Sequence, residues 1–154
     1  MIKKIFFDHT IFLHQKTGGI SNYIFELNKK LNDIGSLSRI FAPFAINDRF
    51  KIKDKNVINF VRLNSVPLFC TKIFYLINNI LSLFYIYLNK PNIIHLSYYN
   101  NFLVKFIKTP YILTVYDLIH EKPNIRQTNF KKKYLIKNAD KIICISRQTK
   151  NDLV

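Results

Sequence analysis

Alternating apolar and polar stretches in the first 42 residues predict a strand, a turn, a helix and a second strand. Residues 2–7 form a short apolar run rich in β-formers, and a polar loop then leads to Gly18-Gly19. Apolar residues next recur at the spacing of a helix with one buried face, at Ile20, Ile24, Leu27, Leu31 and Ile34. Gly35 is a suitable end for this helix, and residues 37–42 predict the second strand.

Four further apolar runs predict strands, at residues 57–63, 92–96, 111–116 and 141–145. The last three are continuously apolar, which is typical of parallel strands covered on both faces. A short helical pattern precedes the final run, and Ser146 after it occupies the N-cap position of a last helix. Six strands alternating with helices predict the α/β class: one domain with a Rossmann-like, doubly wound, mainly parallel sheet.

The segment 66–88 admits three interpretations. It holds a single charge, Lys72, and it is long enough to cross a bilayer. Asn78-Asn79 and Ser82 in its middle argue against crossing, as does Pro67 at its start. We expect a helix buried between the sheet and the rest of the domain. A helix that touches a membrane surface and a transmembrane helix are the alternatives.

Composition adds limits on the class of protein. The 154 residues are 49% apolar with three Gly and five Pro, which fits one compact domain and excludes a linker, a collagen-like repeat or a low-complexity tail. The formal net charge of +15 attracts phosphate, anionic lipid or nucleic acid. However, Lys, Asn, Ile, Phe and Tyr make up more than half of the chain, and A/T-rich codons alone can produce this bias. The charge is therefore weak evidence about partners.

Cysteine and histidine spacing suggests neither a disulfide framework nor a metal site. Cys70 and Cys144 lie far apart, and a reducing cytoplasm is the default for two such thiols. No signal peptide is visible at the start of the chain. The four histidines match no metal motif, so we expect no metal and no cofactor.

Candidate functional residues follow the predicted strands, because open parallel sheets bind ligands at the carboxyl ends of their strands. Gly18-Gly19 either presents backbone N–H groups to a phosphate or forms a tight turn. Asp117 and Glu121, with His120 between them, either position a sugar hydroxyl and accept its proton or cap the following turn. His95, within an apolar run, is either functional or a buried, hydrogen-bonded histidine.

Four blocks of sequence together resemble one known family. They are FDHTIFLHQKTGGISNYIFEL, IIHLSYYN, PYILTVYDLIHE and ADKIICISRQTKNDL. In order and spacing they are similar to the N-terminal domain of family 4 retaining glycosyltransferases. Those enzymes have the GT-B architecture, in which two Rossmann-like domains face a cleft. The resemblance covers essentially the whole chain.

The resemblance implies roles for particular residues. In this family the N-terminal domain mostly shapes the acceptor site, and a glycine loop, here Gly18 and Gly19, faces the diphosphate of the donor. A histidine often precedes the aspartate at the end of the fifth strand, but Tyr116 stands there in this chain. Tyrosine is a poor base at neutral pH. The candidates on the catalytic and acceptor side are Asp117, Tyr116, His120, Glu121, His95, Tyr98 and Tyr99.

The resemblance also implies a function for the chain. Residues 1–154 would form the N-terminal, acceptor-side domain of a hexosyltransferase, with the C-terminal donor-binding domain absent and the isolated chain inactive. The enzyme would transfer sugar from a nucleotide-sugar donor to a saccharide or lipid-linked acceptor in cell-surface polysaccharide biosynthesis. We expect it in the cytoplasm, with peripheral contact to an anionic membrane at the inner face.

Two alternatives belong to other classes. One is a non-catalytic half that binds glycan alone or pairs with a separately encoded domain. The other is a basic α/β protein that binds nucleic acid, for which the sequence offers charge but no recognised motif. We therefore expect no nucleic-acid partner.

Overall fold

The computed structural model describes residues 2–116 and 126–153. Within these residues the chain alternates between strands and helices. The strands are β1 (Lys4–Phe7), β2 (Leu37–Phe41), β3 (Phe44–Ala45), β4 (Val57–Ile58), β5 (Val61–Arg62), β6 (Ile93–Leu96), β7 (Tyr111–Val115) and β8 (Lys141–Cys144). The helices are α1 (Thr10–His14), α2 (Gly19–Asp33), α3 (Leu68–Asn89), α4 (Asn101–Phe106), α5 (Arg126–Asn138) and α6 (Arg147–Asn151), with a 3₁₀ helix at Asp48–Lys51.

Six of the strands form one parallel sheet in the order β4-β2-β1-β6-β7-β8. This is the Rossmann order, in which the chain works outward from β1 in one direction and then outward from β6 in the other. The order therefore reverses between β1 and β6, where Ile5 pairs with Ile93 and Phe7 with His95. The predicted fold class is confirmed.

The apolar core lies in two clusters on opposite faces of the sheet. Successive side chains of a strand point to opposite faces, and Phe6 belongs to one cluster while Phe7 belongs to the other. The Phe6 cluster packs under α3, α4 and α5, and the Phe7 cluster packs under α1 and α2. Both rings are almost completely buried. Two covered faces explain why the central strands are continuously apolar.

Local patterns located the main elements closely. The strands predicted at 37–42, 92–96, 111–116 and 141–145 each lie within one residue of the observed bounds, and the helix predicted from Ile20 is α2. Ser146 is confirmed as the N-cap of α6, since its Oγ accepts a hydrogen bond from the Thr149 amide at 3.0 Å. These elements carry their own signals, either an apolar run or a cap.

The polar loop expected between β1 and Gly18 is wrong in its first part, because residues Thr10–His14 form α1. This helix of little more than one turn depends on burial. The ring of Phe12 meets the rings of Phe25 and Phe50 edge-on, at centroid distances of 5.3 and 5.2 Å. Contacts with residues this distant in sequence are not visible in a local pattern.

The single strand expected at 57–63 is also wrong. β4 joins the main sheet, whereas β5 pairs with β3 in a separate two-stranded sheet. Asn59 separates them, because its side-chain amide donates to the carbonyl of Ala42 at 2.6 Å and to that of Pro43 at 3.2 Å. These carbonyls lie just past β2, so the amide ends the ladder between β2 and β4 there.

Helix α3 is not the buried helix that we expected. Its fully buried residues include Asn78, Asn79 and Ser82, whereas Phe69 and Tyr87 are 79% and 75% exposed. By length and composition alone the helix could cross a membrane. Only one face of the helix is buried, and that face is the polar one because Asn78 and Asn79 find hydrogen-bond partners in Phe44 and Asn100.

Candidate functional site

Asp8 lies at the carboxyl end of β1, where the strand order reverses, and its side chain is fully buried. One carboxylate oxygen accepts the Ser97 amide at 2.5 Å, which ties the end of β6 to the end of β1. The other accepts the Thr10 hydroxyl at 2.5 Å and the Asn100 amide at 2.9 Å. Buried carboxylates need such donors, since an unpaired one would cost several kcal/mol, on the order of the full desolvation penalty.

Asn100 extends this network to two helices. Its amide nitrogen also donates to Asn79 of α3 at 3.0 Å. Its oxygen accepts the Tyr75 hydroxyl at 2.9 Å and the Leu103 amide at 3.1 Å, so that it caps α4. Burial, with a smaller effect from the Asp8 charge, raises the pKa of Tyr75 to about 12, which keeps the phenol protonated and able to donate. A hydrogen-bond network therefore fixes the strand ends, α3 and α4 together.

Two buried histidines adjoin the same strand ends. His95 Nε2 lies 2.8 Å from the Thr114 hydroxyl, and the ring stacks on Phe7 at a centroid distance of 4.9 Å. His9 Nδ1 lies 3.4 Å from the Ser82 hydroxyl. Burial lowers the pKa of each histidine to about 4, although the nearby Asp8 charge acts in the opposite direction. Both rings are neutral at pH 7.

A cavity of about 490 Å³ opens beside these strand ends. Tyr98 and Tyr99, two predicted site residues on the loop after β6, line it and meet edge-on with ring centroids 4.9 Å apart. The volume lies in the range of small-molecule sites. The other lining residues come from α1, α3 and α4: Thr10, His14, Thr71, Lys72, Tyr75, Asn101, Phe102 and Lys105. The wall therefore combines aromatic rings, hydroxyls and two lysines.

A second cleft, of about 180 Å³, lies at the opposite edge of the sheet. Lys4 and Leu37, which begin β1 and β2, line it together with Pro91, which precedes β6. Ligands of open parallel sheets bind at the carboxyl ends of the strands. The cavity lined by Tyr98 and Tyr99, at the carboxyl ends next to the strand-order reversal, is therefore the candidate site.

The predicted glycine loop lies at the start of α2. Gly18 is the N-cap of α2, and a side chain at position 18 would collide with the Gln15 side chain. Gly19 differs, because a Cβ there would meet nothing within 4 Å. The space beside Gly18 is therefore filled by the Gln15 side chain, whereas the space beside Gly19 is free. Gly19 also begins α2, and this end of a helix attracts anions.

Tyr116 follows β7 and directs its hydroxyl to the carbonyl of Ser97 at 3.4 Å. Its ring meets that of Tyr23 of α2 edge-on at 6.0 Å. Burial raises the pKa of Tyr116 well above that of a free phenol, with a smaller effect from Tyr23, so the group is a hydrogen-bond donor rather than a base at neutral pH. Asp117, His120 and Glu121 lie outside the described residues, and their roles stay predictions.

The structure thus brings together Tyr98, Tyr99 and Tyr116 at the ends of neighbouring strands, and it buries His95 within β6 against Phe7 and Thr114. Sequence reasoning missed Asn100 and Tyr75. Asn100 could have been recognised from the sequence, since an Asn before an apolar helical segment is a typical N-cap. Tyr75 could not have been recognised from a local pattern, because it reaches Asn100 only in the particular orientation that α3 takes about its own axis.

The fold is that of a Rossmann-like α/β domain, and the candidate cavity lies at its topological switch point. The sequence profile of Glycosyltransferase Family 4 matches residues 17–154, nearly the whole chain. The chain therefore belongs to glycosyltransferase family 4, and the match covers the N-terminal region of the GT-B architecture. None of the curated proteins compared with the chain matches it. The resemblance carried by the four sequence blocks is confirmed.

Proposed function

We propose that this chain is the acceptor-side half of a hexosyltransferase that acts in cell-surface polysaccharide biosynthesis. A nucleotide-sugar donor would lose its nucleoside diphosphate as the glycosidic C–O bond breaks. The sugar carbon would form a new C–O bond to an acceptor hydroxyl, which loses its proton. The observation that carries the proposal is the family match together with the cavity at the switch point.

The cavity is the proposed acceptor site. Tyr98 and Tyr99 offer flat aromatic surfaces and hydroxyls, which suit the apolar faces and the hydroxyl edges of a saccharide. The same features support glycan binding without catalysis, which is the second candidate. Tyr116, Asp117, His120 and Glu121 remain the proposed residues nearest the transferred sugar, with Tyr116 as a hydrogen-bond donor.

The open space at Gly19 is the proposed place for the donor diphosphate. An anion there would meet the Gly19 amide and the positive end of the helix dipole, whereas the Ser21 amide already donates to the Gln15 side chain. One glycine loop offers little to stabilise a departing diphosphate, and removing even a single stabilising donor from an active site costs an enzyme about 100-fold or more in rate. We propose that a second, donor-binding domain supplies the remaining contacts, so that the 154-residue chain alone does not turn over.

A cytoplasmic location completes the proposal. Cys70 and Cys144 are both free, as expected of a protein in a reducing compartment.

The test is to incubate the purified chain with UDP-hexoses, GDP-hexoses and short oligosaccharides. We expect saccharide binding without release of nucleoside diphosphate. Tyr98→Ala should abolish the saccharide-induced NMR shifts, and Tyr87→Ala, at an exposed tyrosine outside the cavity, should leave them unchanged. Donor-dependent release by the chain alone would overturn the predicted inactivity. Shifts that cluster away from the cavity would overturn the acceptor site.

A further inference from the structure

The outward face of α3 carries a continuous apolar stripe. Its members recur every three or four residues along the helix, and we call them the outer stripe: Phe69, Ile73, Leu76, Ile80, Phe84 and Tyr87. Leu76 is the least exposed of them, at 46%. Within residues 2–116 and 126–153, no segment covers this stripe. Apolar surface of this extent, continuous over five turns, marks an interaction site rather than scattered exposure.

Hydrogen bonds on the opposite face prevent the helix from turning its stripe inward. The Asn78 amide donates to the Phe44 carbonyl at 2.8 Å, and its oxygen accepts the Phe44 amide at 3.0 Å. Asn79 accepts from Asn100 at 3.0 Å. Rotation of α3 would break these bonds and leave buried polar groups unpaired. The outward direction of the stripe is therefore a fixed property of the fold.

The stretch of sequence that contains α3 carries charge of one sign. Residues 55–116 contain no Asp or Glu, and their charged side chains are Lys55, Arg62, Lys72, Lys90, Lys105 and Lys108. Lys72 lies beside Ile73 in the first turns of α3, and Lys90 closes its last turn. Both are exposed. An apolar stripe with lysines at its two ends complements a surface whose anionic groups lie on the outside and whose apolar groups lie below them.

We propose that the outer stripe of α3 rests on an anionic lipid bilayer, with the helix lying flat in the interface. Apolar rings and aliphatic side chains would enter the boundary between headgroups and acyl chains, and Lys72 and Lys90 would contact lipid phosphates. The helix does not cross the bilayer, because its inner face is bonded to Phe44 and Asn100 of the domain through Asn78 and Asn79. Pairing with a second copy is disfavoured, since it would bring Lys72 and Lys90 of one copy close to those of the other.

This surface adjoins the cavity. Thr71, Lys72 and Tyr75, in the first turns of α3, line it. A bilayer under the stripe would thus lie close to the cavity mouth, which favours an acceptor carried on a lipid. That last step rests on the proposed function, whereas the lipid contact itself does not.

The experiment is co-sedimentation of the full chain with vesicles of phosphatidylglycerol mixed with phosphatidylcholine, compared with phosphatidylcholine alone. We expect binding to the anionic vesicles, weakening as salt is added. Phe84→Glu and Ile80→Ser should each weaken it, the former by about tenfold or more. Lys72→Gln should weaken it by about fivefold. Ile52→Glu is the matched control, since Ile52 is similarly exposed and lies outside α3.

The substituted positions on the stripe are exposed, so unchanged melting temperatures will show that the variants fold. Anionic vesicle binding that the stripe variants weaken and the control does not would support the proposal. The proposal would be overturned by a lack of sedimentation with anionic vesicles at low salt, or by stripe variants that bind as tightly as the parent. Self-association that the stripe variants abolish, without vesicle binding, would also overturn it and assign the stripe to a second copy.

Discussion

Helix α3 buries polar side chains on its inner face and exposes apolar side chains on its outer face, which is the reverse of the usual placement. Asn79 and Ser82 on the inner face are fully buried, but each lies within hydrogen-bonding distance of a polar partner, so the cost of burial is offset. Phe69 and Phe84 on the outer face lie in water, where nothing offsets their exposure. The buried polar face is thus complete within the chain, whereas the exposed apolar face needs a surface from outside it.

Removing the Asp8 carboxylate, the central acceptor of the buried hydrogen-bond network, should have the largest effect on stability. Asp8→Ala would leave the Ser97 amide without its acceptor in a dry environment, and the Asn100 amide would lose one of its three acceptors. We expect the free energy of unfolding to fall by about 4 kcal/mol, measured by urea denaturation. Asp54→Ala is the control, because this exposed carboxylate accepts from the nearby Asn56 amide, and its removal should cost about 0.5 kcal/mol. Equal losses for the two variants would contradict the central role of Asp8.

Lowering the pH should also destabilise the buried network, because it adjoins two buried histidines that are neutral in the folded chain. The folded-state pKa of His95 is about 4 against an ordinary 6.5, so between these values the unfolded chain binds a proton that the folded chain does not. Stability is therefore full above about pH 6.5 and falls as the pH drops towards 4. From about pH 7.5 to 4.5 His95 should account for a loss of about 2.5 kcal/mol.

His95→Gln isolates this contribution, since glutamine can still bond Thr114 but does not titrate. The variant should show a shallower decline of the urea midpoint with falling pH. His9, shifted in the same direction, keeps part of the decline in place. An unchanged slope in the variant would show that His95 is not held neutral by the fold.

The smallest expected effects come from a pair of adjacent residues on opposite faces of α3. Asn79→Leu should cost about 2 kcal/mol, because the Asn100 amide loses an acceptor at 3.0 Å. Ile80→Asn, one position further on and 54% exposed, should change stability by only about 0.5 kcal/mol. Melting curves of the two variants test the rotation of the helix directly. The reverse order of effects would mean that the faces are exchanged.

Sequence patterns predicted the parts of the fold that carry their own local signal. Continuous apolar runs placed β6, β7 and β8, and the spacing from Ile20 to Ile34 placed α2. Elements that depend on distant partners were not predicted. Phe12 in α1 is held by Phe50, and Asn59 divides a strand by reaching back to Ala42. Such tertiary contacts override local preference and leave no local trace.

In the candidate site, too, the sequence predicted the positions that depend on local signals and missed those that depend on distant contacts. Tyr98 and Tyr99 line the cavity because residues just past parallel strands gather at one edge of the sheet, and Tyr116 follows the neighbouring strand β7. Their roles in the site stay predictions. The orientation of α3 was not predicted, although its polar residues at 78, 79, 82 and 89 share one helical face. A periodicity argument identifies two faces but not which of them is inward, and here the polar face found partners in Phe44 and Asn100.

The sequence distance across the Asp8 network also has a consequence for synthesis. The Ser97 and Asn100 donors lie 89 and 92 positions after Asp8. On the ribosome the carboxylate emerges first and stays hydrated until those donors have been made, so the first strand and helix cannot settle alone. Contacts of this span also slow folding. A nascent chain interrupted before residue 97 would therefore carry an unmatched acid at its centre, exposed to chaperones and proteases.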